Sequence, residues 1–209
     1  EFKHYYNKGD SLNKGISSNS VLSVFTDRKG LIYIGTQDKG MYTFEKESNV
    51  FTNYQNSLTD YKSISNNRIQ CIYEDTYNNI WIGTKNGLNL FDKVNNSFIR
   101  FMNEVNNPAS LSNNNITSII EDKNNELWIA TNGGGLNKLE NDSTFSRFKS
   151  KINDPSSLSG DYIKNLYVDK TNVLWIATPG AGICKLDCER KKFHTVSDLF
   201  QSLKLSKSN

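Results

Sequence analysis

The chain has 209 residues, and its 25 Lys and Arg against 22 Asp and Glu leave a net charge of +3. The charges are scattered without a basic run, which excludes a nucleic-acid footprint. Apolar runs stop at about five residues, too short for a membrane-crossing helix, and two His and three Cys exclude a His-based metal cluster or a disulfide framework.

In chain order, Phe2-Lys3-His4-Tyr5 reads as one short strand. Residues 20–56 then carry four, in VLSVFTD, IYIGT, GMYTF and FTNY. The same order returns over 67–104 (IQCIYED, IWIGT, GLNLF, FIRF), over 114–151 (ITSIIED, LWIAT, GLNKL, FSRF) and over 161–197 (IKNLYVD, LWIAT, GICKL, FHTV). Residues 198–209 break the pattern and read as a tail. Trp81, Trp128 and Trp175 stand 47 residues apart, and Tyr33 takes their place 48 residues before Trp81. Asp27, Asp75, Asp122 and Asp169 recur with them, as do Gly40, Gly87, Gly135 and Gly182. Internal repeats of this length decide architecture before any local reading does.

Each recurring Asp ends a first strand and opens a turn, where its carboxylate can bond backbone amides two residues on. The strands are apolar on both faces. In Leu127-Trp128-Ile129-Ala130, Leu127 and Ile129 point one way and Trp128 and Ala130 the other. A sheet exposed to water on one side would alternate polar and apolar residues, so each sheet here needs a neighbour on both sides. Trp beside Gly or Ala lets neighbouring sheets interdigitate. These features predict an all-β fold, a β-propeller-type array of four four-stranded antiparallel blades. Fourth strands number five against four first strands, which predicts one array over 1–209 that is a segment of a larger propeller, with residues 1–6 the last strand of a preceding blade.

The combination of SLS-N, then E-D, then LWIGT or LWIAT, then GL and F-x-x-F resembles the regulator-propeller repeats of bacterial sensor proteins. The resemblance covers about residues 1–197. It implies the extracytoplasmic sensing region of a membrane-bound two-component histidine kinase, or of a related diguanylate cyclase receptor. The segment itself is then not an enzyme, and it meets the membrane only through parts of the protein outside this sequence. A lyase-type propeller enzyme or a protein-interaction scaffold is the alternative.

No catalytic set, metal site or cofactor is expected. Four equivalent copies of Asp27, Asp75, Asp122 and Asp169 point to a structural role, and Trp81, Trp128 and Trp175 to packing between sheets. Cys71 reads as a small buried thiol. Cys184 and Cys188 would lie about 13 Å apart along a regular strand, too far to bridge. A ligand site should lie where the copies differ. The loops after the second strands share position but not chemistry: Gln37-Asp38-Lys39, Lys85-Asn86, Asn132-Gly133-Gly134 and Pro179-Gly180-Ala181. Asp38, Lys39, Lys85, Asn86 and Asn132 are the ligand-binding candidates, and the ligand expected is a small molecule or an oligosaccharide. Tyr61 and Tyr77 fall in turns where no other copy has an aromatic. Uncovered blade ends predict self-association, alongside dimerisation of the receptor.

Overall fold

The computed structural model describes residues 15–188 and 192–195. Among them there is no helix, and sixteen strands form four sheets. Blade 1 comprises β1 (Val21–Thr26), β2 (Ile32–Thr36), β3 (Met41–Glu45) and β4 (Val50–Tyr54). Blade 2 comprises β5 (Ile69–Glu74), β6 (Ile80–Thr84), β7 (Gly87–Asp92) and β8 (Ser97–Phe101). Blade 3 comprises β9 (Ile116–Glu121), β10 (Leu127–Thr131), β11 (Leu136–Leu139) and β12 (Phe145–Phe148), and blade 4 comprises β13 (Asn165–Val168), β14 (Val173–Thr178), β15 (Gly182–Asp187) and β16 (Lys192–Thr195). Every sheet is an antiparallel meander in chain order. The expected strand at Phe2–Tyr5 and the tail at 198–209 lie outside the described residues.

The described residues form two compact units, divided after Phe101. In the first, blades 1 and 2 pack face to face: Tyr33 and Met41 of blade 1 meet Ile69, Ile72, Ile80, Ile82, Phe91 and Phe98 of blade 2. The second unit repeats this arrangement, with Trp128, Ala130 and Leu136 of blade 3 against Ile163, Leu166, Leu174, Ile176, Leu186 and Phe193 of blade 4. All five residues of β6 and all five of β10 are buried, as strands covered on both faces should be.

The recurring Asp does more than open a turn. Oδ1 of Asp122 accepts the N–H groups of Asn124 at 2.8 Å and Glu126 at 3.1 Å, while Oδ2 accepts the indole Nε1–H of Trp128 at 3.0 Å. Asp75 holds Trp81 in the same way at 2.8 Å, and Asp169 holds Trp175 at 2.7 Å. One carboxylate therefore closes the turn between the first two strands and satisfies the only polar atom of the packed tryptophan, which would be costly to bury unpaired. The turns also need a left-handed residue, which is Gly30 in blade 1 and Asn78, Asn125 and Asn172 in the others. Asn adopts this conformation more readily than other side chains, which accounts for Gly30 and the three Asn sharing one repeat position.

In blade 1 the Trp is replaced by Tyr33, whose hydroxyl donates to Asp27 Oδ2 at 3.1 Å. The smaller ring admits Lys93 of blade 2, whose Nζ reaches the same oxygen at 3.1 Å. Burial opposes ionisation of Asp27, but hydrogen bonds from Lys93, Leu31 and Tyr33 overcome it and hold the carboxyl below its ordinary range. Cys188 occupies the repeat position of Lys93 in blade 4. It is buried, and burial first, then the neighbouring Asp122 carboxylate, push its thiol up to about 12. Cys71, Cys184 and Cys188 all stand outside disulfides, so no bridge joins Cys184 to Cys188. Cys71 is half-buried rather than fully buried as expected; its thiol is likewise raised by burial, to about 12.

Candidate functional site

The loops after the second strands share one construction. The threonine ending each second strand turns its hydroxyl into the loop and donates to the carbonyl of the recurring glycine: Thr36 to Gly40 at 2.8 Å, Thr84 to Gly87 at 2.9 Å, Thr131 to Gly135 at 2.7 Å and Thr178 to Gly182 at 2.8 Å. The same oxygen accepts a loop amide, from Lys39, Asn86 or Gly134 in the first three blades. Gly40 has a φ of 72°, and a Cβ there would stand 2.1 Å from the Tyr54 carbonyl oxygen, so glycine is required where this loop crosses the sheet edge.

The loop backbones are thus set by the scaffold, and the variable side chains are carried on them. Asp38, Lys39, Lys85, Asn86 and Asn132 are all exposed. Asp38 is partly engaged, because its Oδ1 accepts the Ser18 hydroxyl at 2.6 Å. In the first unit the blade 1 loop is tied to the connection entering blade 2, with the Gly40 N–H on the Asn67 carbonyl at 2.9 Å, and the Lys85 N–H bonds the Arg68 carbonyl at 3.0 Å. In the second unit the N–H groups of Gly133 and Gly135 both reach the Asp161 carbonyl, at 3.1 and 2.9 Å. Asn132 bridges to Tyr162. A ligand on the first unit's loops would meet exposed Lys39, Lys85 and Asn86, and one on the second unit's would meet exposed Asn132.

Sequence reasoning missed two recurring side chains that brace this rim. Arg100 of β8 reaches back to the connection before its own blade, bonding the Ser63 carbonyl at 2.6 Å, the Ser63 hydroxyl at 2.6 Å and the Asp60 carbonyl at 2.9 Å. Arg147 of β12 makes the same set to Ser110 and Asn107, at 2.8, 2.8 and 2.7 Å. The planar guanidinium supplies several donors from one group, which suits a cluster of backbone carbonyls. The signal was present in FIRF and FSRF, where arginine recurs at one repeat position. Asn89 and Asn137 do the same from the third strands. Both are fully buried, with their carbonyls on the amides of Ser65 and Ser112, each at 2.9 Å.

A second candidate surface lies in the first unit, on the outer edge of blade 2. It is an open cleft of about 810 Å³ lined by Tyr61, Lys62, Asp92, Asn95, Ile99 and Arg100 among others. Tyr61 is largely exposed at the tip of a turn pinned by Arg100, and Ile99 faces solvent beside it. On the far side the Asp92 carboxylate holds the side-chain amide of Asn95 at 2.7 Å. That bond, with the Asn95 and Val94 amides and the nearby Lys62 charge, keeps the Asp92 carboxyl below its ordinary range. One repeat later Pro108 and Ser146 replace Tyr61 and Ile99 while the arginine brace persists, so the fold does not require Tyr61 or Ile99. Tyr77, in the turn between β5 and β6, is also exposed. Among the described residues no three His, Cys, Asp or Glu side chains gather as metal ligands.

Four segments, residues 15–38, 63–86, 110–133 and 157–180, match the family model described as two component regulator propeller. The matched segments contain the turn before each blade, its first two strands and the loop after them. Among solved structures, one similar to this chain is the extracellular domain of a protein from B. thetaiotaomicron described as a hybrid two component system, at 24% identity and a TM-score of 0.68, covering 84% of this chain and 22% of that one. The extracellular domain of a second such protein from B. thetaiotaomicron matches at 24% identity and a TM-score of 0.65, over 90% of this chain and 30% of that one. A streptogramin B lyase shares the fold at 15% identity and a TM-score of 0.61, over 86% of this chain and 55% of that one. The chain thus spans less than a third of the two extracellular domains. No curated protein sequence matches it. The fold is that of propeller blades, as the repeat pattern predicts.

Proposed function

We propose that this chain, an array of two-component regulator propeller repeats, is a ligand-sensing segment of the extracytoplasmic region of a bacterial membrane signalling receptor, without catalytic activity of its own. The observation that carries the reading is the match of all four repeats to the regulator-propeller model. The extracellular two-component domains among its structural relatives support it. The described surface fits binding better than catalysis. Its unusual residues are exposed Lys, Asn and Tyr side chains on braced loops, and the carboxylates that recur are already used in turns and against tryptophan. In the mechanism proposed, ligand seated on the loops changes how two receptor chains lie against each other, and that change crosses the membrane.

The test has two arms. The full-length gene should encode a membrane-spanning helix followed by a histidine kinase or diguanylate cyclase domain; a gene with neither ends the receptor reading. A screen of small molecules and oligosaccharides against the purified chain should yield a ligand. Joint substitution of Asp38, Lys39, Lys85 and Asn132 by Ala should leave the fold intact and abolish binding. If affinity is unchanged, the rim is cleared, and Tyr61→Ala then tests the cleft on blade 2.

A further inference from the structure

The connection entering blade 4 keeps the form of its counterparts before blades 2 and 3. The Ser157 N–H and hydroxyl both reach the Asp154 carbonyl, at 3.0 and 2.8 Å. Ser110 reaches Asn107 in the same way at 3.1 and 3.0 Å, and Ser63 reaches Asp60 at 3.1 and 2.8 Å. The Ser157 hydroxyl also accepts the Lys151 N–H at 2.9 Å, as Ser110 accepts Glu104 and Ser63 accepts Ser57, each at 2.8 Å.

In blades 2 and 3 this connection wraps a guanidinium. Besides the groups already named, Arg100 bonds the Ile64 carbonyl at 3.3 Å and Arg147 bonds the Leu111 carbonyl at 3.0 Å. Arg100 pairs with Asn89 across the sheet and Arg147 with Asn137; the residue in that place in blade 4, opposite Cys184, is Thr195. A threonine offers one hydroxyl where arginine offers a planar fork of N–H donors. A second donor is replaced as well. Asn56 and Asn103 give side-chain amides to the Ile64 and Leu111 carbonyls, and Ser150 stands at their position. Ser157 and Leu158 are nevertheless buried. Among the described residues no side chain donates to the Ser157 carbonyl, and only the Ser157 hydroxyl, at 3.4 Å, approaches that of Leu158. Buried carbonyls are ordinarily paired. Both residues line an open cleft of about 520 Å³, together with Lys151, Asp154 and Pro155 among others. The Ser156 hydroxyl and amide hold the Asp154 carboxyl below its ordinary range, so this cleft carries a negative charge beside its carbonyls.

We propose that this cleft binds the guanidinium group of a ligand. The group sets its fork on the carbonyls of Asp154, Ser157 and Leu158, as Arg147 does on those of Asn107, Ser110 and Leu111. Planar guanidinium suits such a cluster of acceptors better than the point charge of an ammonium. A further blade would not supply the group, because Arg100 and Arg147 each brace the connection entering their own blade. The site stands apart from the receptor reading and does not depend on it.

Calorimetric titration of the chain with agmatine should show one saturable site. The diamine 1,4-diaminobutane, with an ammonium in place of the guanidinium, should bind at least about tenfold more weakly. Thr195→Arg should restore the brace within blade 4, raise the thermal midpoint and abolish agmatine binding. Arg147→Ala should open the equivalent cradle in blade 3 and raise the stoichiometry from one to two. A blocked Gly-Arg-Gly tripeptide distinguishes the sources of the group: tighter binding than agmatine assigns the site to an arginine of a protein partner, and equal or weaker binding to a free small molecule. Absence of saturable agmatine binding overturns the proposal, as does equal affinity for the diamine or unchanged binding in a folded Thr195→Arg variant. If Thr195→Arg does not fold, Arg147→Ala decides, and a stoichiometry that stays at one overturns the proposal.

Discussion

Trp128→Ala should be among the most damaging single substitutions in the chain. The side chain is 1% exposed between blades 3 and 4, against Phe148 at a ring-centroid distance of 5.6 Å. Truncating a buried tryptophan costs about 3–5 kcal/mol through lost burial and the cavity left behind. The indole also donates to Asp122 Oδ2 at 3.0 Å, so its removal strands a buried carboxylate oxygen, which adds about 1–3 kcal/mol. For a chain of this size each kcal/mol moves the midpoint by about 2–4 °C, so a fall of at least roughly 8 °C is expected. Trp128→Phe separates the two contributions. It keeps one buried aromatic ring but removes the N–H together with part of the indole, so it should cost at least the hydrogen-bond share, about 1–3 kcal/mol, and less than Trp128→Ala. Thermal and urea unfolding of the purified variants measures both. A Trp128→Ala midpoint within about one degree of wild type would refute the packing role and return the tryptophans to the candidate ligand contacts. A Trp128→Phe variant as damaged as Trp128→Ala would refute the partition between cavity and hydrogen bond.

Arg147→Ala should lower stability by about 1.5–3 kcal/mol, the range for hydrogen bonds to a charged group; Arg147→Lys should recover less than half of that, because one ammonium cannot span the carbonyls of Asn107 and Ser110, and urea midpoints of the pair decide. Acid should destabilise the fold. Asp27 and Asp169 carry carboxyls held below the ordinary value, Asp169 mainly by the Trp175 and Thr171 side chains, so their contribution is full above the unfolded pKa near about 4 and is lost as pH falls through the lower folded values. A melting temperature that stays flat from about pH 5 to about pH 2 would contradict this. The native protein should react slowly with Ellman's reagent at mildly alkaline pH, since Cys71 and Cys188 are raised to about 12 and Cys184 is buried; all three thiols should react in denaturant, and rapid native labelling would show that the strands around them open.

Much of this fold was legible in the sequence because each blade is a local object. Four strands joined by short turns lie within fewer than fifty residues, so a single period reports the strands, the turns and the positions that must be apolar on both faces. The recurring Asp and Trp were recognised separately for the same reason. Their pairing was not, because six residues along the chain say nothing of where an indole N–H points until β5 and β6, or β9 and β10, are laid side by side. The Arg147 brace reaches 37 residues back to Ser110, and the recurrence of arginine could suggest a role without naming the carbonyls it meets. The rim candidates were found because loops drift where scaffold positions do not, but only the coordinates tie Asp38 to Ser18 and group Tyr61 with Asp92, Asn95 and Ile99 in a cleft. Val24 and Ile183 are as apolar as Ile72, Ile119, Leu88 and Leu136 at the same repeat positions, yet the first two are exposed and the others buried. Whether such a residue is core or surface depends on whether another sheet lies on it, a property of the assembled blades that the residue itself does not carry.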